Sequence, residues 1–144
     1  KVRGVFILLS VMMTPMPATA NPSTFMTLST TAGRRGTAAL SPYITSKHAV
    51  VGLMKCAALE GAADNIRVNC VNPGPIETRM MRQIEANASH EAPGDMKALL
   101  ISRIPLQRYG EAEEVAEMIA FLGSSASSYC TGNIYGVDGG LTAG

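Results

Sequence analysis

Ser41-Pro-Tyr-Ile-Thr-Ser-Lys-His-Ala-Val-Val-Gly-Leu-Met-Lys-Cys-Ala-Ala-Leu-Glu-Gly61, followed closely by Ile66-Arg-Val-Asn-Cys-Val-Asn-Pro-Gly-Pro75, decides the fold. The first part predicts a helix. Ser41 suits the N-cap, and Pro42 fits the first helical position, where its missing N–H costs nothing. Ile44, Val50, Val51, Leu53, Met54, Ala57, Ala58 and Leu59 continue the apolar pattern until Gly61. So many small and apolar positions around the helix predict burial on two sides, against a sheet and against a partner subunit. The second part predicts a buried strand over residues 66–71, stopped by Asn72-Pro73-Gly74-Pro75.

Working outward, residues 24–29 (TFMTLS) read as a strand that precedes the helix. Further upstream, residues 5–13 read as a buried helix ended by Pro15 and Pro17. Downstream, residues 78–103 are helical in pattern with an interruption at Pro93-Gly94. Residues 111–122 form a second clear helix, with Glu111, Glu113 and Glu114 at its positive end and Gly123 after it. Residues 133–137 read as a last strand. Three strands alternating with helices predict an α/β chain with a parallel sheet. Such a sheet needs cover on both faces, and three strands make a thin one.

The composition excludes several classes. The 144 residues are one domain's worth, 47% hydrophobic and 16% charged, with a net charge of +1. No run of Lys and Arg forms a nucleic-acid stripe; only Arg34 and Arg35 stand together. Cys56, Cys70 and Cys130 show no metal-type spacing and read as reduced thiols of a cytoplasmic protein. Residues 1–20 imitate a secretory signal, basic then apolar then Ala18-Thr19-Ala20, and give a minority reading of an exported domain. The apolar run is too short to span a membrane.

Chemistry concentrates at Tyr43 and Lys47, which stand four apart and so share one helix face. A phenol gives up its proton only near pH 10, and a neighbouring ammonium stabilises the phenolate. This spacing alone also occurs on ordinary amphipathic helices. Its context is more specific: Ser29-Thr30-Thr31 ends one strand and Asn72-Pro73-Gly74-Pro75-Ile76-Glu77-Thr78 leaves the next. Open α/β sheets bind ligands at those carboxyl ends.

With these motifs in order, the chain resembles the short-chain dehydrogenase/reductase family from its first residues to its last. The matching stretches are Ser29-Thr-Thr-Ala-Gly33, Tyr43-Ile-Thr-Ser-Lys47, Arg67-Val-Asn-Cys-Val-Asn-Pro-Gly74, Ile104-Pro-Leu-Gln-Arg-Tyr-Gly110 with Glu113-Glu-Val-Ala116, and Tyr129-Cys-Thr-Gly132 through Val137-Asp-Gly-Gly140. The resemblance implies the C-terminal portion of a Rossmann-like, doubly wound parallel sheet. It also implies an NAD(P)-dependent oxidoreductase that interconverts a carbonyl and an alcohol, without a metal. Tyr43 would be the acid/base, Lys47 would stabilise its phenolate and meet the nicotinamide ribose, and Thr30 would orient the carbonyl. Pro73, Gly74, Ile76 and Thr78 would flank the nicotinamide of NAD or NADP. Residues 79–102 would be the substrate lid. Partners implied are a small carbonyl or alcohol substrate and further copies of the chain in a dimer or tetramer, with no nucleic acid or membrane.

Three departures from the family pattern stand out. Thr30 replaces a serine, and Ser29 is its rival for that role. Lys1 falls where the family places an asparagine. The glycine-rich phosphate loop and the first four strands have no counterpart, so residues 1–144 read as a partial domain without its N-terminal cofactor-binding half. An exposed apolar edge at the first strand then predicts aggregation or dependence on a partner. A truncated or non-catalytic protein with a structural or oligomeric role is the alternative reading. Met80, Met81, Ile84, Leu99 and Leu100 suit an apolar pocket wall or helix packing equally. Arg34, Arg35 and His90 read mainly as solvated surface.

Overall fold

The computed structural model describes residues 23–88 and 93–143. The helix expected over residues 5–13, the signal-like opening, Lys1 and His90 lie outside them. Three strands, β1 (Ser23–Leu28), β2 (Ile66–Pro73) and β3 (Ile134–Val137), form a parallel sheet in the order β1-β2-β3. Helix α1 (Ser41–Gly61) connects β1 to β2. Helices α2 (Arg79–Ala88), α3 (Pro93–Ser102) and α4 (Ala112–Gly123) lie between β2 and β3. The α/β architecture with parallel crossovers is the one the sequence predicts.

The central strand explains the layering. Val68, Cys70 and Val71 of β2 are completely buried, as an inner parallel strand requires. Alternation sends Ile66, Val68 and Cys70 toward α1, where they pack with Val51, Met54, Ala57 and Ala58. Phe25, Leu53 and Ile134 flank that cluster. On the opposite face α4 touches all three strands, and its Leu122 is fully buried. Met54 is fully enclosed, so truncating it to Ala removes about 2–5 kcal/mol.

Several expectations need correction. Ser41 is the first residue of α1, and Leu40 is the boundary residue, without a side-chain cap bond. The Ile44 N–H reaches the Leu40 carbonyl (2.9 Å) and Pro42 has no N–H, which leaves little for a hydroxyl cap to satisfy. β2 continues through Asn72 and Pro73, because β3 offers Gly136 and Val137 as ladder partners. The helical stretch over residues 78–103 does divide, into α2 and α3, and Pro93 is the first residue of α3, the place where a missing N–H is harmless. On its sheet side α1 is buried as expected, while on its other side Gly52 and Cys56 are exposed and Leu59 is 82% exposed. None of the described helices is long and apolar enough to cross a membrane.

Candidate active site

The end of β1 is tied to the helix that carries Tyr43 and Lys47. Ser29 is buried, and its hydroxyl donates to the Lys47 carbonyl oxygen (3.2 Å). The neighbouring Thr30 hydroxyl accepts from the Ala32 N–H (2.9 Å) and caps the single 3-10 turn Thr31–Gly33. The two adjacent hydroxyls are therefore used differently. Ser29 has already placed its proton, whereas Thr30 accepts and keeps its own proton to donate.

On α1 the Lys47 ammonium lies 5.7 Å from the centre of the Tyr43 ring. That is within reach of a cation–π attraction. Tyr43 is 40% exposed, so its ring is open to a ligand. Lys47 also lies near β2. Burial pushes the Cys70 thiol above its ordinary range, and the Lys47 charge is among the influences pulling it back.

The turn leaving β2 is shaped by contacts distant in sequence. The Gly74 N–H donates to the Val137 carbonyl (3.0 Å). A Cβ at position 74 would stand 2.8 Å from the Asp138 Cα, so backbone-to-backbone approach demands glycine there. Ile76 bridges in parallel to Gly110. The Glu77 N–H donates to the Gly110 carbonyl (2.8 Å), and the Gly110 N–H donates to the Pro75 carbonyl (3.0 Å). The Thr78 hydroxyl accepts from the Met81 N–H (3.2 Å) at the start of α2.

The fold thus puts Thr30, the Tyr43–Lys47 pair and the Pro73, Gly74, Ile76, Thr78 turn at the carboxyl ends of neighbouring strands. Ser29 binds the first two groups together directly. Among the described residues no hydrogen bond joins the turn to Tyr43 or Lys47.

Other site features escaped sequence reasoning. Asn72 is fully buried; its Oδ1 accepts from the Cys70 thiol (3.2 Å), and its Nδ2 has no partner among the described residues. In the sequence Asn72 reads as part of the turn that stops the strand, and the structure keeps it inside β2. The buried Tyr109 hydroxyl donates to the buried Glu85 carboxylate (2.7 Å). Burial first, and then that carboxylate, push the Tyr109 phenol far up. Lys97 sits 5.1 Å from the Tyr109 ring centre and donates to Glu77 (2.7 Å), which draws the Glu77 carboxyl down. Together these contacts fasten α2 and α3 to the segment before α4. Met80, Ile84 and Leu99 remain exposed, so helix packing does not account for them.

Two cavities adjoin the turn. One of about 470 Å³ lies between Pro105, Arg108, Glu114 and the stretch from Val137 to Gly140. Its Arg108 is closed onto Glu114 by two hydrogen bonds of 2.8 and 2.6 Å. The other, about 220 Å³, reaches the 3-10 turn beside Thr30 and is lined by Thr31, Ala32, Arg35, Leu40, Leu100 and Arg103 among others.

A family model described as enoyl-(acyl carrier protein) reductase matches residues 1–142. The chain is 41% identical over 139 residues to a 3-oxoacyl-(acyl-carrier-protein) reductase of Thermotoga maritima, covering 96% of this chain and 53% of that protein. A solved levodione reductase superposes with a TM-score of 0.79 at 36% identity, covering 82% of this chain and 46% of that one. An actinorhodin polyketide ketoreductase solved with NADPH gives a TM-score of 0.77 at 33% identity, covering 82% and 46%. The chain therefore spans about half the length of the relatives it matches.

Proposed function

The chain belongs to the short-chain dehydrogenase/reductase family, and from that premise we propose that it forms the proton-transfer half of an NAD(P)-dependent oxidoreductase interconverting a carbonyl and an alcohol. The observation that carries this reading is the Tyr43–Lys47 pair, with the ammonium 5.7 Å from the ring centre, on a helix pinned to the carboxyl end of the sheet.

In reduction Tyr43 gives its phenolic proton to the developing alkoxide, and in oxidation it takes the alcohol proton. Lys47 stabilises the phenolate that results. Thr30 orients the carbonyl, a role supported by the proton its hydroxyl has left to donate. The hydride is supplied by the bound nicotinamide.

The residues present fit the nicotinamide end of such a cofactor. Lys47 is a donor for ribose hydroxyls. The Thr78 hydroxyl accepts from Met81 and retains a proton for a carboxamide oxygen. Pro73, Gly74 and Ile76 would form the adjoining wall, with Gly74 letting the turn close on Asp138. Nothing in these residues selects NAD over NADP.

Two wider features belong to the same reading. The exposed outer side of α1, with Leu59 and Gly52, supports a homo-oligomer. The free thiols of Cys56, Cys70 and Cys130 support a reducing, cytoplasmic setting.

The test is absorbance of reduced nucleotide on mixing the protein, at its full encoded length, with a panel of cyclic and linear ketones. Consumption of NADH or NADPH with at least one ketone is expected. Failure with every ketone, and in the reverse direction with every matching alcohol, would contradict the proposal.

A further inference from the structure

The charged residues that line the 220 Å³ cavity are both cations. Arg35 and Arg103 both line it, and among the described residues no acidic one does. Three other cations are closed onto carboxylates and so are not open to an anion: Arg108 pairs with Glu114, and both Arg82 and Lys97 pair with Glu77. Among the described residues Arg35 and Arg103 have no carboxylate partner. Arg35 donates one N–H to the Leu141 carbonyl (3.1 Å), which fixes its guanidinium at the cavity and leaves other donors open. The remaining wall is largely apolar, from Ala32, Leu40, Pro75, Leu100 and Leu141.

The position matters as much as the charge. Thr31 and Ala32 follow Thr30, whose hydroxyl accepts from Ala32. Leu40 immediately precedes α1 and lies three residues before Tyr43, and Pro75 follows the Gly74 turn. The cavity is thus lined by residues that flank Thr30, the start of α1 and the Gly74 turn.

We infer that this cavity holds the far end of the substrate and that the substrate is a ketone, or the matching alcohol, carrying a carboxylate. The inference rests on the carbonyl–alcohol reading above for the reacting end. The apolar wall takes a compact hydrocarbon body, and the two guanidinium groups take the carboxylate as planar, multi-donor partners.

Ligand-observed NMR compares 4-oxocyclohexanecarboxylate with its uncharged methyl ester, each titrated into the chain with and without NADPH. The acid is expected to bind at least about tenfold more tightly, a preference the Arg35→Ala/Arg103→Ala double variant loses. Arg103→Ala alone is expected to weaken the acid severalfold and leave the ester unchanged; among the described residues Arg103 makes no side-chain hydrogen bond that the substitution would remove. No binding of the acid, equal binding of acid and ester, or a preference that survives the double variant overturns the inference. Turnover separates the two proposals. An arginine-dependent acid preference without turnover sinks the oxidoreductase reading alone. Turnover that ignores the carboxylate sinks this one alone.

Discussion

The Ser29 hydroxyl donates its proton to the Lys47 carbonyl oxygen across 3.2 Å, fastening the end of β1 to the helical turn that bears Tyr43 and Lys47. The same hydroxyl sits where a side chain at Gly33 would go, with Val51 Cγ2 only 3.2 Å from that point. Ser29→Ala is expected to cost about 1 kcal/mol. Gly33→Ala is expected to cost about 1–3 kcal/mol through overpacking, and clearly less when Ser29 is already Ala. Urea denaturation of the two single variants and the double variant measures this coupling. Strict additivity would show that the hydroxyl and the added methyl do not meet.

Gly74→Ala is expected to destabilise the fold by about 1–3 kcal/mol, because its Cβ would press on the Asp138 Cα, which is backbone and has little room to give. Asp138 is itself held by the Gly140 and Thr142 N–H groups that its carboxylate accepts (3.0 and 3.2 Å). A denaturation midpoint equal to that of the parent would mean that the glycine is needed only for ligand approach.

Tyr109→Phe leaves the buried Glu85 carboxylate without its 2.7 Å donor. A loss of about 1–3 kcal/mol is expected, the cost of stranding a buried acceptor. Faster hydrogen exchange should appear in α2, which that bond fastens down, and not in α1. Exchange that rises equally in both helices would contradict the local role.

Glu114 carries a pH signature. The Arg108 guanidinium, and then the Glu111 N–H, hold its carboxyl at about 2 against an ordinary 4.5. Since the folded value is the lower one, the unfolded chain takes up the proton first as pH falls. The contribution is complete above 4.5 and disappears on the way down to about 2. The Tm difference between the parent and Glu114→Gln should accordingly be largest near neutral pH, shrink through that window, and diminish with salt because the pair is exposed. A difference independent of pH would contradict the assignment.

Much of the scaffold is legible from local chemistry. Pro42 and Gly61 bracket α1, and the apolar run from Ile66 to Val71 marks the inner strand. What stays hidden are relationships made by the crossovers. Gly74 is fixed by Asp138, Ile76 by Gly110, and Tyr109 by Glu85, all partners that no spacing rule brings together. Arg35 reads as solvated surface in sequence, and only the return of α3 sets Arg103 beside the same cavity. Ser29 and Thr30 read alike in sequence, because both carry hydroxyls, and only the fold gives them different partners, the Lys47 carbonyl and the Ala32 N–H.

The central claim is that Tyr43 moves the proton, and Tyr43→Phe tests it most directly. The substitution keeps the ring and removes only a hydroxyl on a side chain that is 40% exposed, so the fold should be undisturbed. With a ketone that the parent protein reduces, nucleotide oxidation is expected to fall by about a hundredfold or more while the melting curve stays the same. Turnover equal to the parent's would contradict the account.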